Sequence, residues 1–248
     1  MMQEVSTKKI VPFRDSKLSK KEQIAQMFNR IAFRYDFMNH FLSLGIDRRW
    51  RRKALQYLQE DQPEVVLDIA TGTGDLALLS ERMLGSRKII GVDISRGMLD
   101  LGVEKINKAG LADKIFLQLA DSESLPFSDG SFDAVTAAFG VRNFEHLERG
   151  LQEMSRVLRP GKKAVILEFT SPTVFPFKQF FHLYFRYITP LIGKWVARSK
   201  EAYSYLPESV KAFPQGGAMV AILKQNGFQQ ATCKSLTLGI CCVYCAVK

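Results

Sequence analysis

The stretch Val65-Val66-Leu67-Asp68-Ile69-Ala70-Thr71-Gly72-Thr73-Gly74-Asp75 decides the fold. Its first half is an apolar run with β-branched residues, which is typical of a buried parallel strand. Its second half is a loop in which Gly72 and Gly74 let the backbone approach a ligand without an intervening Cβ. The residues at 76–84 then follow a helical pattern. A strand, a glycine loop and a helix in this order predict a doubly wound α/β domain with a nucleotide-like ligand at its strand ends.

The composition of the chain limits the classes of protein that fit it. The 248 residues are 46% hydrophobic and 24% charged, which suits one domain with a substantial core. The net charge is +10, and residues 1–60 carry 13 Lys and Arg against 6 Asp and Glu. This basic segment fits a nucleic-acid contact, an anionic lipid surface or an ordinary solvated face. No apolar run suits a membrane-spanning helix and no secretion signal is recognisable, so we expect a cytoplasmic protein with reduced cysteines.

Strand and helix patterns alternate regularly from Val65 onward. The predicted strands are 65–69, 88–93, 115–119, 132–138 and 164–169, and the predicted helices between them are 76–84, 97–109 and 148–158. A last helix at 217–226 and a hairpin through Leu238-Gly239 follow. This βαβ rhythm predicts a mostly parallel, seven-stranded sheet with helices on both faces.

We divide this single domain into four segments. They are an N-terminal helical segment (1–60), the α/β core (61–170), a helical cap rich in aromatic residues (171–215), and a C-terminal helix with two strands (216–248). The N-terminal segment has helical patterns from Lys21, at 35–42 and at 47–58. In the cap, Lys178, His182 and Arg186 recur every four residues and would share one side of a helix. A helix that only covers the sheet is an equal alternative for the cap.

Polar side chains at three strand ends outline a ligand pocket. Asp68 lies inside the first strand, where a buried carboxylate needs a loop amide or a ligand ammonium group as its partner. Asp93 ends the second strand and can accept hydrogen bonds from both ribose hydroxyls. Asp121 and Ser122 follow the third strand and suit an adenine edge. The set predicts a pocket for an adenosine that carries an amino acid.

These motifs resemble those of class I S-adenosylmethionine-dependent methyltransferases. The matching stretches are 66–74, 91–93, 120–121 with 125–127, and 158–161. Three narrower stretches look like the ubiquinone/menaquinone biosynthesis C-methyltransferase family. They are 28–32 with 35–39 and 44–46, then 139–143, and finally 203–210 with 213–214. The match extends from about Lys21 to the C-terminus.

The resemblance implies a Rossmann-like fold with S-adenosylmethionine as the cofactor. The residues expected to bind the cofactor are Asp68, Gly72, Thr73, Gly74, Asp93, Asp121, Ser122 and the backbone of Ala138. The family often has a serine where this chain has Ala138, so one hydrogen bond to the cofactor is missing from the pattern. The family's C-terminal histidine is also replaced, by the 242–245 region.

The reaction that the resemblance implies is methylation of a ring carbon of a reduced polyprenyl quinone. Demethylmenaquinol is the favoured substrate and a benzoquinol is the alternative. Arg142 is expected to stabilise the forming oxyanion, and Asn143 to orient a hydroxyl or a water that accepts a proton. Tyr35, Asp36 and Asn39 are expected to close over the cofactor or contact the substrate. A loop salt bridge and a turn residue are the structural alternative for Arg142 and Asn143.

Several further expectations concern partners. A long isoprenoid tail requires an apolar tunnel or an interfacial helix, so we expect transient, peripheral contact with the inner face of the membrane through the cap and the basic N-terminal arm. We expect no nucleic-acid partner, and the oligomeric state stays open, a homodimer included. Cys242 and Cys245 cannot complete a zinc site alone, so we expect buried thiols and no metal. A nicotinamide oxidoreductase, from the loose glycine fingerprint, and a noncatalytic cofactor-binding subunit are the rival functions.

Overall fold

The computed structural model describes the backbone at 10–43, 45–172 and 200–248, with the isolated residues 175, 179 and 183. The side chains at 37–42 and 200–204 are outside this description. Most of the predicted cap, including Lys178, His182 and Arg186, therefore lies outside the described residues, as does the side chain of Asn39.

The described part of the chain alternates helices and strands, numbered here in chain order. The helices are α1 (Lys20–Leu42), α2 (Ile46–Leu55), α3 (Asp75–Leu84), α4 (Arg96–Lys108), α5 (Leu147–Val157), α6 (Lys200–Ala212) and α7 (Gly217–Gln225). The strands are β1 (Val65–Ile69), β2 (Lys88–Asp93), β3 (Ile115–Leu119), β4 (Phe132–Ala138), β5 (Leu158–Phe169), β6 (Gln230–Leu236) and β7 (Cys241–Val247).

The strands form one seven-stranded sheet in the order β3-β2-β1-β4-β5-β7-β6. Strands β1 to β5 are parallel to one another, and β7 is antiparallel to both β5 and β6. The strand order reverses between β1 and β4, which is where open α/β sheets bind their ligands, beyond the carboxyl ends of the strands. The predicted doubly wound, mostly parallel sheet is confirmed.

The fifth strand differs from its prediction. It begins at Leu158, six residues before the predicted start, because Leu158 already pairs with Phe132 of β4. The register then shifts, and Ala134 pairs with Lys163. The Arg-Pro-Gly sequence at 159–161, which resembles a turn, is therefore accommodated within the strand as an irregularity.

Helix α1 is also longer than predicted, because the two helical patterns at its ends form one continuous helix. It contains no glycine or proline that would interrupt it. Its start has a capping box: the Glu22 amide donates to Ser19 Oγ at 3.2 Å, and the Ser19 amide donates to Glu22 Oε2 at 2.8 Å.

Each face of the sheet carries its own apolar core, and strand β7 contributes to both. Cys242 and Tyr244 pack with α5 and α7 on one face. Cys241, Val243 and Cys245 pack with α2 and α3 on the opposite face, because successive side chains of a strand alternate between its two sides. The prediction that Cys242 and Cys245 are buried thiols is confirmed.

Within the described ranges, no helix is both long and apolar enough to cross a bilayer. No cluster of His, Cys, Asp and Glu side chains that could hold a metal ion occurs in the same part of the chain.

Candidate active site

The carboxylate of Asp68 in β1 stabilises the loop that follows this strand. Asp68 is 1% exposed and accepts hydrogen bonds from the hydroxyls of Thr71, at 2.7 Å, and Thr136, at 2.8 Å. Burial raises the pKa of Asp68 to about 6, against the opposing effect of the two hydroxyls and of Arg51. The partners of this predicted site residue are thus threonine hydroxyls, which anchor the loop to strand β4.

Two glycines shape the same loop, because both have the left-handed backbone conformation that disfavours a side chain. Gly72 has φ +59° and Gly74, which precedes α3, has φ +79°. A Cβ on Gly72 would meet no atom within 4 Å, so the space beside it is open. Gly72 lines a cavity at the carboxyl ends of the strands. Gly74 turns the chain into the first turn of α3.

Asp93 at the end of β2 faces the glycine loop. Its Oδ2 accepts a hydrogen bond from the Gly72 amide at 2.9 Å, and its Oδ1 accepts one from the Ser95 amide at 2.8 Å. Burial raises the pKa of Asp93, although these backbone donors oppose the shift. Each Asp93 oxygen accepts one backbone hydrogen bond and can accept a second one. The two hydroxyls of a ribose could donate these additional hydrogen bonds.

Asp121 and Ser122 lie beyond β3, on the cavity wall. Lys21 of α1 donates a hydrogen bond to Asp121 Oδ2 and also lies 3.6 Å from the Glu123 carboxylate. Burial alone would lower the pKa of Lys21, but these two carboxylates outweigh it and raise the pKa. The predicted adenine-edge pair is therefore bridged to helix α1 by a charged side chain.

One cavity joins these strand ends. It is partly open to solvent, and its empty space, open solvent included, is about 670 Å³. Its wall is made by the ends of the parallel strands, and α1 covers it with Ile24, Phe28 and Tyr35. Gly72, Asp93, Asp121, Ser122 and Ala138 all line it. The open space at Gly72 and the carboxylate of Asp93 fit an adenosine that carries a charged amino acid.

Thr73 and Asp36 meet outside this wall. The Thr73 hydroxyl donates to Asp36 Oδ1 at 2.6 Å, and Lys105 Nζ lies 2.6 Å from both Asp36 Oδ2 and Asp75 Oδ1. Lys105 also donates to Thr73 Oγ1 at 3.0 Å. This network ties helix α1 to the glycine loop and to α4. Tyr35 lines the cavity and packs edge-on against Phe28, with ring centroids 5.6 Å apart.

Arg142 and Asn143 lie in a short 3-10 turn after β4, and their side chains have different surroundings. The Arg142 side chain is 7% exposed, and its Nη1 lies 2.6 Å from Glu168 Oε1 while also donating to the Phe139 carbonyl. The Arg142 amide donates to Glu168 Oε2 at 3.2 Å. The guanidinium is thus engaged in a buried ion pair, which agrees with the alternative that Arg142 forms a loop salt bridge.

Asn143, by contrast, lines the cavity. It is 8% exposed, and its Oδ1 accepts a hydrogen bond from the Tyr205 hydroxyl at 3.2 Å. Lys20 supports the same turn by donating to the carbonyl of Phe144 at 2.7 Å. Of the two residues expected to take part in catalysis, Asn143 is the one that a ligand in the cavity can contact.

The loops after β1 and β4 touch each other at Gly140. A Cβ on Gly140 would lie 2.3 Å from the Cβ of Ala70, so a larger residue would push the two loops apart. The preceding residue, Phe139, has φ +61° and stacks on Phe169, with ring centroids 4.4 Å apart. The close approach of Gly140 to Ala70 brings Ala138 and Asn143 into the same cavity wall as the glycine loop.

Three contributors to the site were missed at the level of sequence. They are Glu168, Lys105 and Tyr205. Glu168 had a usable signal, because it is a carboxylate within the otherwise apolar stretch 164–169 and so requires a partner. Tyr205 lies in the family-like stretch 203–210, but its partner Asn143 is 62 positions away in the chain, so its role could not be inferred. Lys105 had no signal, because it lies on a helix that is remote in the chain from Asp36.

The amino-acid sequence matches the family model of the ubiE/COQ5 methyltransferase family over residues 16–248. A demethylmenaquinone methyltransferase of Bacteroides fragilis is 50% identical over 229 residues, which cover 92% of this chain and 94% of that protein. A demethylmenaquinone methyltransferase of Porphyromonas gingivalis is 43% identical, with 98% and 99% covered. A protein of Geotalea uraniireducens named ubiquinone/menaquinone biosynthesis C-methyltransferase UbiE is 45% identical, with 94% and 99% covered.

Solved structures with the same fold include two SAM-dependent methyltransferases. The one from Thermotoga maritima has a TM-score of 0.61 at 18% identity and covers 91% of this chain and 99% of its own. The one from Aquifex aeolicus has a TM-score of 0.52 at 19% identity, with 74% and 81% covered. At these identities the likeness supports the fold alone.

Proposed function

Because the chain belongs to the ubiE/COQ5 methyltransferase family, we propose that it methylates a ring carbon of a reduced polyprenyl quinone, with demethylmenaquinol as the substrate. The observation that carries this proposal is the 50% identity to a demethylmenaquinone methyltransferase over 92% of the chain. The family assignment favours S-adenosylmethionine over the nicotinamide cofactor of the rival function. A benzoquinol is the second candidate, because the Geotalea relative is named for both ubiquinone and menaquinone synthesis.

The cavity supports specific roles for the residues that would hold S-adenosylmethionine. Asp93 would accept hydrogen bonds from the ribose hydroxyls, and Asp121 with Ser122 would bind the adenine edge. Gly72 leaves room for the amino-acid part of the cofactor. Asp68 acts indirectly, because its hydrogen bond with Thr71 anchors the loop. When bound, this cofactor supplies an electrophilic methyl group on a positively charged sulfur.

The chain has to place the quinol ring and stabilise the negative charge that makes its ring carbon nucleophilic. Loss of a hydroxyl proton leaves an electron pair on the ring oxygen and increases the electron density of the neighbouring ring carbon. With the cofactor bound, that carbon would accept the methyl group while the sulfur kept the bonding electrons as a neutral thioether, and the ring carbon would then lose its own proton to solvent. Asn143 lines the cavity and is suited to contact the ring oxygen, while Arg142 holds the turn that presents it.

We expect the purified chain to transfer a labelled methyl group from S-adenosylmethionine to demethylmenaquinol faster than to the corresponding demethylated benzoquinol. The two quinols should be offered with tails of equal length, so that only the ring differs. A faster reaction with the benzoquinol would reverse the substrate assignment. Binding of the cofactor without methyl transfer to either quinol would support the noncatalytic subunit instead.

We also propose that the protein binds a membrane surface peripherally and reversibly. The support is the basic charge of residues 1–60, with 13 Lys and Arg against 6 Asp and Glu, and the 89% exposure of Phe33 on α1. We expect the protein to float with vesicles that contain anionic lipid and to dissociate at high salt. Phe33→Ser should weaken this binding, whereas Leu238→Ser, a control on an exposed turn between β6 and β7, should not. Flotation that is independent of lipid charge and of Phe33 would contradict the proposal.

A further inference from the structure

The carboxamide of Asn143 has an acceptor oxygen and a donor nitrogen, and its surroundings decide which of them a ligand meets. The Tyr205 hydroxyl donates to Asn143 Oδ1 at 3.2 Å, so the oxygen is already engaged. Nδ2 has no acceptor among the described residues, although Asn143 is only 8% exposed and lines the cavity. The group available to a ligand at this point of the wall is therefore an N–H donor.

The direction of this hydrogen bond follows from the burial of the tyrosine. Tyr205 is 4% exposed, and burial raises its pKa; of the charged groups that act on it, Arg142 opposes this rise and Glu168 adds to it. The hydroxyl is therefore protonated at neutral pH, and its proton needs an acceptor in the protein interior. Asn143 Oδ1 is that acceptor. A reversed carboxamide would leave the tyrosine proton buried without a partner, which costs free energy.

We propose that Tyr205 is a positioning residue that holds the Asn143 carboxamide with Nδ2 toward the cavity, where Nδ2 donates a hydrogen bond to the ring oxygen of the quinol. This inference rests on the proposed function and deepens it. A fixed donor stabilises the ring oxygen most when that oxygen carries negative charge, as it does once its proton has left. Asn143 is thereby assigned the role of a donor to the forming oxyanion, instead of a residue that orients a proton acceptor.

Replacing the tyrosine tests the positioning role. Tyr205→Phe keeps the ring and removes only the hydroxyl, so we expect kcat to fall about tenfold with little change in the Kd for S-adenosylmethionine. We also expect the rise of the rate with pH to move to higher pH, because the quinol oxygen is deprotonated less readily without a fixed donor. The matched control is Tyr244→Phe. Tyr244 is also buried, and its hydroxyl accepts a hydrogen bond from the Gly216 amide at 3.0 Å, so its loss should lower stability without shifting the pH profile.

A second variant tests the donor itself and does not depend on how Tyr205→Phe folds. Asn143→Asp keeps an oxygen that accepts the Tyr205 hydrogen bond but has no N–H, so we expect kcat to fall about 100-fold or more. Wild-type kcat and pH profile in Tyr205→Phe, or wild-type turnover in Asn143→Asp, would overturn the inference while leaving the proposed function intact. A wild-type chain that methylates neither quinol would overturn the proposed function, and the inference with it.

Discussion

Arg142→Ala is expected to lower the free energy of unfolding by about 3 to 5 kcal/mol, because it leaves the carboxylate of Glu168 buried without its cationic partner. Glu168 is 0% exposed, and the guanidinium of Arg142 lies 2.6 Å from it. The same substitution removes the donor to the Phe139 carbonyl, which helps to hold the turn that carries Asn143. We therefore also expect turnover to fall much more than the affinity for S-adenosylmethionine. Urea unfolding, calorimetric titration of the cofactor and initial-rate kinetics would measure these three quantities.

Two controls separate the cost of an unpaired buried charge from the loss of an arginine in general. Arg87→Ala breaks an ion pair with Glu64 in which both side chains are more than 70% exposed, and it should change stability by less than about 0.5 kcal/mol. The double variant Arg142→Met with Glu168→Leu should recover much of the lost stability, because neither charge then remains buried alone. A loss of less than about 1 kcal/mol in Arg142→Ala would contradict the role given to this ion pair. Equal losses of turnover and of cofactor affinity would contradict its role at the turn.

Strands β1 to β4 could be predicted to the residue because their signals are local. Each is a short run of mostly apolar residues with a polar or small residue close to its end, which is typical of strands in a parallel sheet. Strand β5 could not, since a proline and a glycine at 160–161 normally end a regular element. Its early start depends on the pairing of Leu158 with Phe132, which is a long-range contact.

The residues of the candidate site also differ in whether the sequence could predict their surroundings. Asp93, Asp121 and Ser122 could be placed together because the carboxyl ends of parallel strands lie at one edge of the sheet. The surroundings of Arg142 and Asn143 could not, because their partners Glu168 and Tyr205 are 26 and 62 positions away in the chain. The sequence therefore indicated that the turn carries two polar side chains, Arg142 and Asn143, that could take part in catalysis. Only the fold determined that one side chain is engaged in an ion pair and the other faces the cavity.

Asp93→Ala is expected to weaken the binding of S-adenosylmethionine by about 100-fold, because it removes a charged acceptor for two ribose hydroxyls. The loss has a second source within the protein. The Asp93 carboxylate also accepts hydrogen bonds from the Gly72 and Ser95 amides, so it fixes the glycine loop against the start of α4. Asp93→Asn keeps one oxygen acceptor and should lose less affinity than the alanine variant. Calorimetric titration of each variant with the cofactor would measure the difference.

The matched control for this prediction is Asp133→Ala, at the opposite end of the sheet. Asp133 is also a mostly buried carboxylate that accepts a backbone hydrogen bond, from the Val65 amide at 3.0 Å, and it pairs with Arg159. Because it lies at the amino end of β4, away from the cavity, its loss should lower stability and leave cofactor affinity within about twofold of wild type. If Asp93→Ala also stayed within about threefold of wild type, the ribose contact assigned to Asp93 would be wrong. If both variants lost affinity equally, the effect would come from a weakened sheet, because the two carboxylates share only their structural role.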